Sequence, residues 1–287
     1  MQNKQTSLTP ETLAIVKNKG TECPFTGEYT DTDPNQAGTY LCRQCGLALF
    51  RADHKFHSGC GWPSFDKEIP NHVKREPDAD GKRIEILCSR CDAHLGHVFE
   101  GENFTPLSTR HCVNSVSLDF VSDATVIDTE EVILAAGCFW GVEHYLKQLP
   151  GVLKTEVGYI GGHLNHPSYE DVCTKKSGHV EALRVVYDKQ QLDYKTLLKY
   201  FFEIHDPTQA NGQGPDIGPQ YLSVIFYYNT NQLETATELL DLLKAKGLQP
   251  ATQLRPTSIF WPAEGYHQDY YTKTGKTPYC HTYTKRF

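Results

Sequence analysis

The second half of the chain alternates between apolar runs of strand length and stretches with apolar residues at helical spacing. One apolar run ends at Gly137, and Phe139, Val142 and Leu146 then recur every three or four residues, as in an amphipathic helix. The predicted elements are a strand at 131–136, a helix at 140–149, strands at 154–160 and 179–187, a helix at 193–204, a strand at 220–228, a helix at 231–246 and a strand at 257–261. The first six form an α/β plait with a βαββαβ core, to which the extra helix and an irregular tail are added.

The first half consists of short β-prone segments separated by Gly, Pro, Asp and Asn. Thr9, Pro10 and Glu11 have the order of a helix N-cap and first turn, so a short helix is predicted within residues 1–20. Residues 113–120 alternate apolar and polar positions, as a half-buried antiparallel strand does. We predict a two-domain chain, with an all-β domain of small antiparallel sheets at 1–121, a polar connector at 122–130 and the α/β domain at 131–287.

Composition and charge narrow the class of protein. The 287 residues are 39% hydrophobic and 22% charged, which is typical of a folded globular chain. The net charge is −7, and neither half has the basic excess that nucleic-acid binding requires. No apolar run is long enough for a membrane span, and residues 1–20 lack the apolar core of a signal peptide, so we expect a cytoplasmic protein. In a reducing compartment, ten cysteines indicate metal or redox chemistry rather than structural disulfides.

Four of these cysteines form two matched Cys-x-x-Cys pairs, Cys42 with Cys45 and Cys88 with Cys91. Each pair presents two thiolates from one turn, and two such turns complete the tetrahedral site that Zn²⁺ prefers. The 42 residues between them suggest that the pairs lie on neighbouring hairpins. Redox dithiols or free thiols are the alternatives. We expect one structural zinc, closed to substrates because all four positions are filled by thiolates.

Cys138 follows the strand that ends at Gly137 and stands where the next helix begins. Unpaired N–H groups at a helix start favour a thiolate, so we expect a lowered pKa and a reactive thiol. Phe139 and Trp140 are suited to form an aromatic wall for a small uncharged group. The alternative is a buried, inert cysteine.

A second reactive thiol is predicted at Cys112. Arg110 and His111 precede it, and their positive charge is expected to lower its pKa. His94 and His97 provide a potential acid–base pair, although packed or surface histidines are the common case. In the loop around Cys60, Gly59 and Gly61 flank the thiol and could bring it close.

These segments resemble the methionine sulfoxide reductases, of which the type A and type B enzymes have unrelated folds. The first half is similar to type B in Phe56-His57-Ser58-Gly59-Cys60-Gly61-Trp62-Pro63-Ser64-Phe65, in the four paired cysteines, in His94-Leu95-Gly96-His97-Val98-Phe99 and in Arg110-His111-Cys112-Val113-Asn114-Ser115. The second half is similar to type A in Gly137-Cys138-Phe139-Trp140-Gly141, Tyr169-Glu170-Asp171-Val172-Cys173, Gly178-His179-Val180-Glu181 and Gly214-Pro215-Asp216-Ile217-Gly218-Pro219-Gln220-Tyr221.

The type B resemblance implies a role for each matching residue. Cys112 would be the nucleophile, Cys60 the resolving thiol and Trp62 a wall of the methyl pocket. The residues that would bind and polarise the sulfoxide are His94, His97 and Asn114. Arg110 would be the cation near the thiolate.

The first half departs from the type B pattern at two positions. The aspartate usual four residues after the second histidine is Gly101 here, so its role is lost or passes to Glu100 or Glu102. Cys23 stands where the family usually has no cysteine, and we assign it no role.

In the second half, Glu181 shares a strand face with Leu183, Val185 and Tyr187. A carboxyl on this otherwise apolar face is desolvated, so its pKa should rise, and a protonated Glu181 could deliver a proton to the sulfoxide oxygen.

Two tyrosines and an aspartate are further candidates for substrate binding. Tyr169 and Tyr221 offer hydroxyl donors, although a single tyrosine more often packs in a core, and the type A resemblance favours the functional interpretation. Asp216 lies in a Gly/Pro-rich loop at the expected site mouth. Cys280, in the tail, is the expected resolving thiol, whereas Cys173 is expected to be buried in a strand and inert.

The sequence therefore predicts a bifunctional enzyme that reduces both epimers of methionine sulfoxide, free or protein-bound. The family chemistry runs through a cysteine sulfenic acid and a disulfide, with thioredoxin as external reductant and no nucleotide or flavin. The alternatives are a zinc-stabilised thiol sensor and a general disulfide oxidoreductase. The latter would need a Cys-x-x-Cys pair at the helix start, where Cys138 stands alone.

Overall fold

The computed structural model describes residues 8–33, 36–123 and 125–287, which form two compact units, 8–129 and 130–287. The first unit is rich in β-strands and the second combines helices with a sheet, as predicted. The first seven positions of the predicted helical lead-in lie outside the described residues. Within the described ranges, no helix has the length and apolarity to cross a membrane.

The first unit contains one helix and nine strands among its described residues. They are α1 (Pro10–Val16), β1 (Thr39–Cys42), β2 (Ala48–Arg51), β3 (Lys55–Phe56), β4 (Ser64–Phe65), β5 (Val73–Pro77), β6 (Ile84–Cys88), β7 (His94–Glu100), β8 (Thr109–Val113) and β9 (Leu118–Val121). Thr9 caps α1 by accepting a hydrogen bond from the Thr12 N–H, as its sequence predicts. The strands form a three-stranded sheet, β2-β1-β9, and a six-stranded sheet, β3-β4-β8-β7-β6-β5.

The prediction of one continuous strand over 113–120 is wrong. Strand β8 ends at Val113, a 3-10 turn spans Ser115–Ser117, and β9 then joins the other sheet. The alternating polar residues do not face solvent: Ser115 and Ser117 are each 1% exposed. The Ser115 hydroxyl accepts a hydrogen bond from the Tyr29 N–H, and the Ser117 hydroxyl donates to the His94 carbonyl. The polar positions of this alternating pattern are therefore residues that form buried hydrogen bonds where the chain passes from one sheet to the other.

The second unit contains five helices and eight strands among its described residues. They are β10 (Thr129–Ala136), which begins one residue before the unit, α2 (Phe139–Leu146), β11 (Val152–Ile160), α3 (Tyr169–Cys173), β12 (Val180–Asp188), α4 (Tyr194–Glu203), β13 (Gly212–Gln213), β14 (Asp216–Ile217), β15 (Ser223–Tyr227), α5 (Thr230–Ala245), β16 (Gln253–Pro256), β17 (Phe260–Pro262) and α6 (Tyr270–Thr274). Six strands form one sheet in the order β16-β15-β10-β12-β11-β17, and β13 pairs with β14.

Several features of this unit differ from the prediction, including the strands β13, β14 and β16, which were not predicted. Residues Pro219–Tyr221 form a 3-10 turn, so the strand expected at 220–228 begins only at Ser223. The short helix α3 was not predicted, although Ser168 and Asp171 form a reciprocal capping box at its start. The tail is not wholly irregular, since it includes α6, and the strand expected at 257–261 spans Phe260–Pro262. Short elements carry too few periodic positions to be found by pattern alone.

The apolar strand β10 positions Cys138. Val132 and Leu134 pack on one face of the sheet, while Ile133 and Ala135 pack on the other, so a strand buried on both faces reads as an unbroken apolar run. The chain then turns at Gly137, whose φ is +88°. A side chain there would clash with Gln213, because a Cβ would lie 2.4 Å from the Gln213 Cβ.

Candidate active sites and metal centre

The four paired cysteines converge on one point in the first unit. Cys42 and Cys88 end strands β1 and β6, and Cys45 and Cys91 lie in the turns that lead to β2 and β7. The Sγ–Sγ distance is 3.7 Å between Cys42 and Cys91 and 3.6 Å between Cys45 and Cys88. All four sulfurs lie within 4.8 Å of one another.

These distances fit a tetrahedral metal. With metal–sulfur bonds of about 2.3 Å, sulfurs at the corners of a tetrahedron are separated by about 3.8 Å. Cys42, Cys45 and Cys88 are at most 1% exposed, so the cluster is closed to substrates. The two Cys-x-x-Cys turns lie on separate hairpins, β1–β2 and β6–β7, as the spacing suggested.

A second group in this unit is the N-terminal thiol pair, Cys60 and Cys112. Their sulfurs are 3.7 Å apart and both residues are partly exposed. Cys112 lies on β8, opposite Ser64 of β4, so the sheet brings the loop with Cys60 to it. The Ser58 hydroxyl lies 3.0 Å from the Cys60 sulfur and 2.7 Å from the Ser64 hydroxyl.

The expected net lowering of the Cys112 pKa is wrong. Contact with Cys60 and burial raise the pKa of Cys112, and Arg110, which acts in the opposite direction, does not overcome them. The same contact lowers the pKa of Cys60 to about 4. His111 faces the other side of β8, where it is fully buried and 2.9 Å from the Glu68 carboxylate.

Arg110 is held by Glu102. The Arg110 Nε and Nη2 donate to the two carboxylate oxygens of Glu102 at 2.6 and 2.9 Å, and the guanidinium lies 4.5 Å from the Phe99 ring centre. Glu100 instead accepts hydrogen bonds from Arg75 and Thr109. Glu100 and Glu102 were the two candidates to replace the usual aspartate, and Glu102 is the one that contacts Arg110.

Each of the two predicted histidines has a carboxylate partner. The His97 Nε2 lies 2.7 Å from Asp78, and the His94 Nδ1 lies 2.6 Å from Glu85. His94 is 2% exposed, burial lowers its pKa, and its Nε2 has no hydrogen-bond partner within the described ranges. The carboxylates were not predicted, since they come from β6 and the loop after β5. Their spacing to the histidines gave no local signal.

A pocket opens in front of Cys112. Its lining residues are Thr21, Trp62, Arg83, Gly96, His97, Phe99, Cys112 and Asn114. The Asn114 amide accepts from the Glu22 N–H and donates to the Leu95 carbonyl, and the Trp62 Nε1 donates to the Glu22 carbonyl. Trp62 and Asn114 are thus fixed by backbone groups. Cys23, which follows Glu22, is exposed.

The second unit holds the C-terminal thiol pair, Cys138 and Cys280. Their sulfurs and a carboxylate oxygen of Asp216 all lie within 4.8 Å of one another. Cys138 is the N-cap residue of α2 and is 6% exposed, and Cys280 is 5% exposed. The expected lowering of the Cys138 pKa is wrong, because contact with Cys280 and burial raise it. The effect of the helix start, which favours a thiolate, is therefore smaller than the effect of the Cys280 thiol, which the tail places beside Cys138.

Glu181 lies close to Cys138, one member of the C-terminal thiol pair. It is 2% exposed, and its carboxylate accepts a 3.0 Å hydrogen bond from the Phe139 N–H. The predicted rise in its pKa is confirmed, with burial as the main cause and Cys138 as the second. Leu183, Val185 and Tyr187 of the same strand belong to the core on its side of the sheet.

Phe139 and Trp140 join an aromatic cluster that the sequence did not predict. Trp140 stacks on Tyr270 with ring centres 3.7 Å apart, and its Nε1 donates to the Nδ1 of His267 at 3.1 Å. The His267 ring is 5.1 Å from Phe139 and 4.6 Å from Tyr169. Phe139 is only 1% exposed, whereas Trp140 is half-buried.

The remaining predicted residues of this domain are Tyr169, Tyr221 and Asp216. Burial raises the pKa of both Tyr169 and Tyr221, and the nearby Glu181 contributes in each case. Asp216, on β14, accepts a hydrogen bond from the Tyr279 hydroxyl at 3.2 Å. The expectation for Cys173 is wrong: it ends helix α3 rather than lying in a strand, and it is exposed.

Comparison with known proteins identifies both units. Residues 130–287 match the model of the peptide methionine sulfoxide reductase family, and residues 8–122 match that of the SelR domain. The peptide methionine sulfoxide reductase MsrA of Methanosarcina acetivorans is 49% identical over 149 residues, which is 51% of this chain and 79% of the relative. MsrA of Thermus thermophilus is 47% identical over 152 residues, covering 53% and 86% of the two chains. The crystal structure of reduced Mxr1 from Saccharomyces cerevisiae aligns with 55% of this chain and 93% of its own, at 33% identity and a TM-score of 0.52.

Two thiol pairs in separate units, one of them in a unit with a closed four-thiol cluster, define a thiol-dependent oxidoreductase. The chain belongs to the peptide methionine sulfoxide reductase family, whose model matches residues 130–287. A SelR domain, at residues 8–122, precedes this C-terminal domain. It reduces both epimers of methionine sulfoxide, the S-sulfoxide in the C-terminal domain and the R-sulfoxide in the SelR domain. The family and activity predicted from the sequence are confirmed.

Proposed function

We propose that each epimer is reduced at its own thiol pair, in domains spanning residues 1–121 and 131–287 that are joined by 122–130. The observation that carries this proposal is the presence of two thiol pairs, one in each compact unit. The Cys60 and Cys112 sulfurs are 3.7 Å apart, and the Cys138 and Cys280 sulfurs lie within 4.8 Å. In either pair the sulfurs are close enough to join in a disulfide after a short movement.

In the C-terminal domain, Cys138 attacks the sulfoxide sulfur and Glu181 supplies the proton to its oxygen. Glu181 suits this role because its raised pKa keeps the carboxyl protonated at higher pH than usual. Methionine leaves, and Cys138 remains as a sulfenic acid. Cys280 then condenses with this sulfenic acid to give a disulfide and water.

The other residues around Cys138 bind the substrate. Phe139 and Trp140 provide an apolar surface for the methyl group, and the hydroxyls of the partly buried Tyr169 and Tyr221, with Glu181 nearby, donate to the oxygen. Asp216 sits beside both thiols.

In the SelR domain, Cys112 is the nucleophile and Cys60 the resolving thiol. His97 and Asn114, which line the pocket in front of Cys112, bind and polarise the sulfoxide oxygen. His94, whose Nε2 has no hydrogen-bond partner among the described residues, assists them. Trp62 forms the wall of the methyl pocket. Arg110 lies on the same face of β8 as Cys112, and its charge acts to lower the Cys112 pKa against the larger effects of Cys60 and burial.

We infer one zinc ion per chain, held by Cys42, Cys45, Cys88 and Cys91. The near-tetrahedral sulfur spacing and the burial of the cluster support this metal. A four-thiolate zinc leaves no open position, so it stabilises the SelR domain and takes no part in the reaction.

Both reactions end in a disulfide that an external dithiol must reduce. We infer that thioredoxin is this reductant, that the substrate is methionine sulfoxide in free or protein-bound form, and that the enzyme works in the cytoplasm without nucleotide or flavin. The C-terminal core, with strand order β15-β10-β12-β11, is consistent with the split-βαβ plait.

The test is a reaction without reductant under anaerobic conditions. Each chain should convert one equivalent of S-sulfoxide and one of R-sulfoxide to methionine, and each conversion should remove two free thiols. The four zinc ligands should stay unmodified in peptide mapping. Turnover without thiol loss, or loss confined to the zinc ligands, would refute the proposal.

A further inference from the structure

His281 lies directly against the resolving thiol of the C-terminal domain. Its Nδ1 is 3.1 Å from the Cys280 sulfur, and its Nε2 is 2.7 Å from the carbonyl oxygen of Ala136, at the end of strand β10. The imidazole is 3% exposed. A histidine that follows a cysteine in a tail carries no sequence signal, so its position was not predicted.

The Ala136 carbonyl determines which nitrogen carries the proton. A carbonyl oxygen only accepts hydrogen bonds, so the Nε2 must donate to it. Burial lowers the pKa of His281 to about 4, and the ring is therefore neutral near pH 7. In a neutral ring with a protonated Nε2, the Nδ1 is a lone-pair acceptor, and it faces the Cys280 thiol.

The ring is held in this position from two sides. A Cβ at Gly141, in the first turn of α2, would lie 2.2 Å from the His281 Nδ1, so this glycine makes room for the ring. The tail is anchored beyond it, because the Glu203 carboxylate accepts hydrogen bonds from the Tyr283 hydroxyl and the N–H groups of Arg286 and Phe287. The anchored tail holds the His281 ring in the orientation in which its Nδ1 faces the Cys280 sulfur.

We propose that His281 is a catalytic base of the disulfide-forming step, which accepts the Cys280 proton as that sulfur attacks Cys138. This inference rests on the thiol roles proposed above. The S–H bond of Cys280 breaks and its proton moves to the His281 Nδ1, while a bond forms between the two sulfurs. The S–O bond of the Cys138 sulfenic acid breaks as its oxygen takes the proton from His281, so that the leaving group is water. The oxidising equivalent comes from the methionine sulfoxide reduced in the preceding step.

The N-terminal thiol pair offers a comparison within the same chain. Among the described residues, the hydrogen-bonding groups at the Cys60 sulfur are the hydroxyls of Ser58 and Ser64, the Trp62 carbonyl and the Cys112 thiol. In the part of the chain that the structure describes, a base of the His281 type therefore contacts the C-terminal pair and not the N-terminal one. Substitution of His281 should leave disulfide formation between Cys60 and Cys112 unchanged.

The informative substitution is His281→Gln. The glutamine amide can still donate to the Ala136 carbonyl, but it lacks a basic nitrogen opposite Cys280. In a single turnover with S-sulfoxide and no reductant, this variant should release one methionine at the wild-type rate. Its Cys138 sulfenic acid should persist and be trapped by a dimedone-type reagent, and the disulfide should form about a hundredfold more slowly. Turnover with dithiothreitol, which reduces the sulfenic acid directly, should fall much less than turnover with thioredoxin.

His163→Gln is the matched control, because His163 is exposed in the same domain. Wild-type disulfide formation in His281→Gln would refute the role of His281 and leave Asp216 as the neighbouring acceptor. Histidine ¹⁵N NMR of the reduced wild-type enzyme is an independent test, and a protonated Nδ1 would also refute it. Cys280→Ser separates the two levels of proposal: if it releases no methionine, the thiol roles themselves are wrong. A normal burst in Cys280→Ser, with unchanged disulfide formation in His281→Gln, would reject His281 alone.

Discussion

The Glu181 carboxylate accepts a 3.0 Å hydrogen bond from the backbone N–H of Phe139, the residue directly after Cys138. The carboxyl group on the central strand β12 is thereby tied to the helix start that carries the thiol. This contact favours the carboxylate, but burial, the larger effect, favours the protonated form and raises the pKa of Glu181. The geometry thus keeps a proton close to the Cys138 sulfur, which is proposed as the nucleophile.

The first prediction concerns this proton. Glu181→Gln should slow single-turnover reduction of S-sulfoxide by about 10²–10⁴-fold, because a glutamine cannot donate a proton to the oxygen. In the wild type, the rate should fall as pH rises through the raised pKa, since only protonated Glu181 is competent. Glu181→Gln should lose this decline, whereas Glu234→Gln, on the exposed face of α5, should keep it. A wild-type pH profile in Glu181→Gln would assign the proton to another group.

The second prediction concerns the bidentate ion pair between Glu102 and Arg110. Glu102→Gln should reduce the rate of R-sulfoxide reduction about tenfold, because a charge-assisted hydrogen bond that positions Arg110 near Cys112 is lost. S-sulfoxide reduction is the internal control and should not change. Glu100→Gln is the matched variant, since Glu100 pairs with Arg75 instead. Equal losses in the two variants would show that the effect is general electrostatics rather than the position of Arg110.

The sequence predicted those parts of the fold that depend on local pattern. The paired cysteines and the strand–turn–helix at Cys138 were found because close spacing fixes their relative geometry. The strand expected over 113–120 failed for an informative reason: Ser115 and Ser117 are polar positions that satisfy buried backbone groups, and period alone does not separate these from solvent-facing positions.

The chemistry of the thiols depends on contacts between distant residues, which the sequence does not encode locally. Cys60 contacts Cys112 across 52 residues, and Cys280 is brought to Cys138 by the tail. These contacts reverse the expected pKa shifts, because two adjacent thiols cannot both ionise readily. The carboxylate partners of His97 and His94, Asp78 and Glu85, could not be predicted either, because the pairing register of the strands brings them to the histidines.

The third prediction is that the SelR domain depends on its metal. Cys88→Ser should lose one zinc per chain and destabilise this domain, because the free energy of zinc binding contributes to folding. Metal analysis of freshly purified reduced protein and thermal unfolding would measure both effects. Cys23→Ser, which removes an exposed thiol outside the cluster, should keep its zinc and its stability. A wild-type protein purified without zinc would contradict the assignment.

The fourth prediction separates chemistry from recycling. Cys280→Ser should complete one turnover of S-sulfoxide and then stall with thioredoxin, because the attack by Cys138 precedes disulfide formation. Cys60→Ser should behave in the same way with R-sulfoxide. The measurement is methionine released per chain in the first turnover and in the steady state. If either variant kept full activity with thioredoxin, another thiol would resolve the sulfenic acid, and the exposed Cys173 and Cys23 would be the first to replace.

The last prediction separates the two active sites by stereochemistry. A sulfoxide sulfur is a stereocentre, so a pocket that fixes both its methyl group and its oxygen accepts one epimer. Cys138→Ser should therefore abolish S-sulfoxide reduction and leave R-sulfoxide reduction nearly intact, and Cys112→Ser should do the reverse. The double variant should reduce neither epimer, because a serine hydroxyl is a far weaker nucleophile than a thiolate. Each purified epimer should be assayed with each variant, using dithiothreitol to bypass recycling. Loss of both activities after one substitution would show that the sites do not act independently.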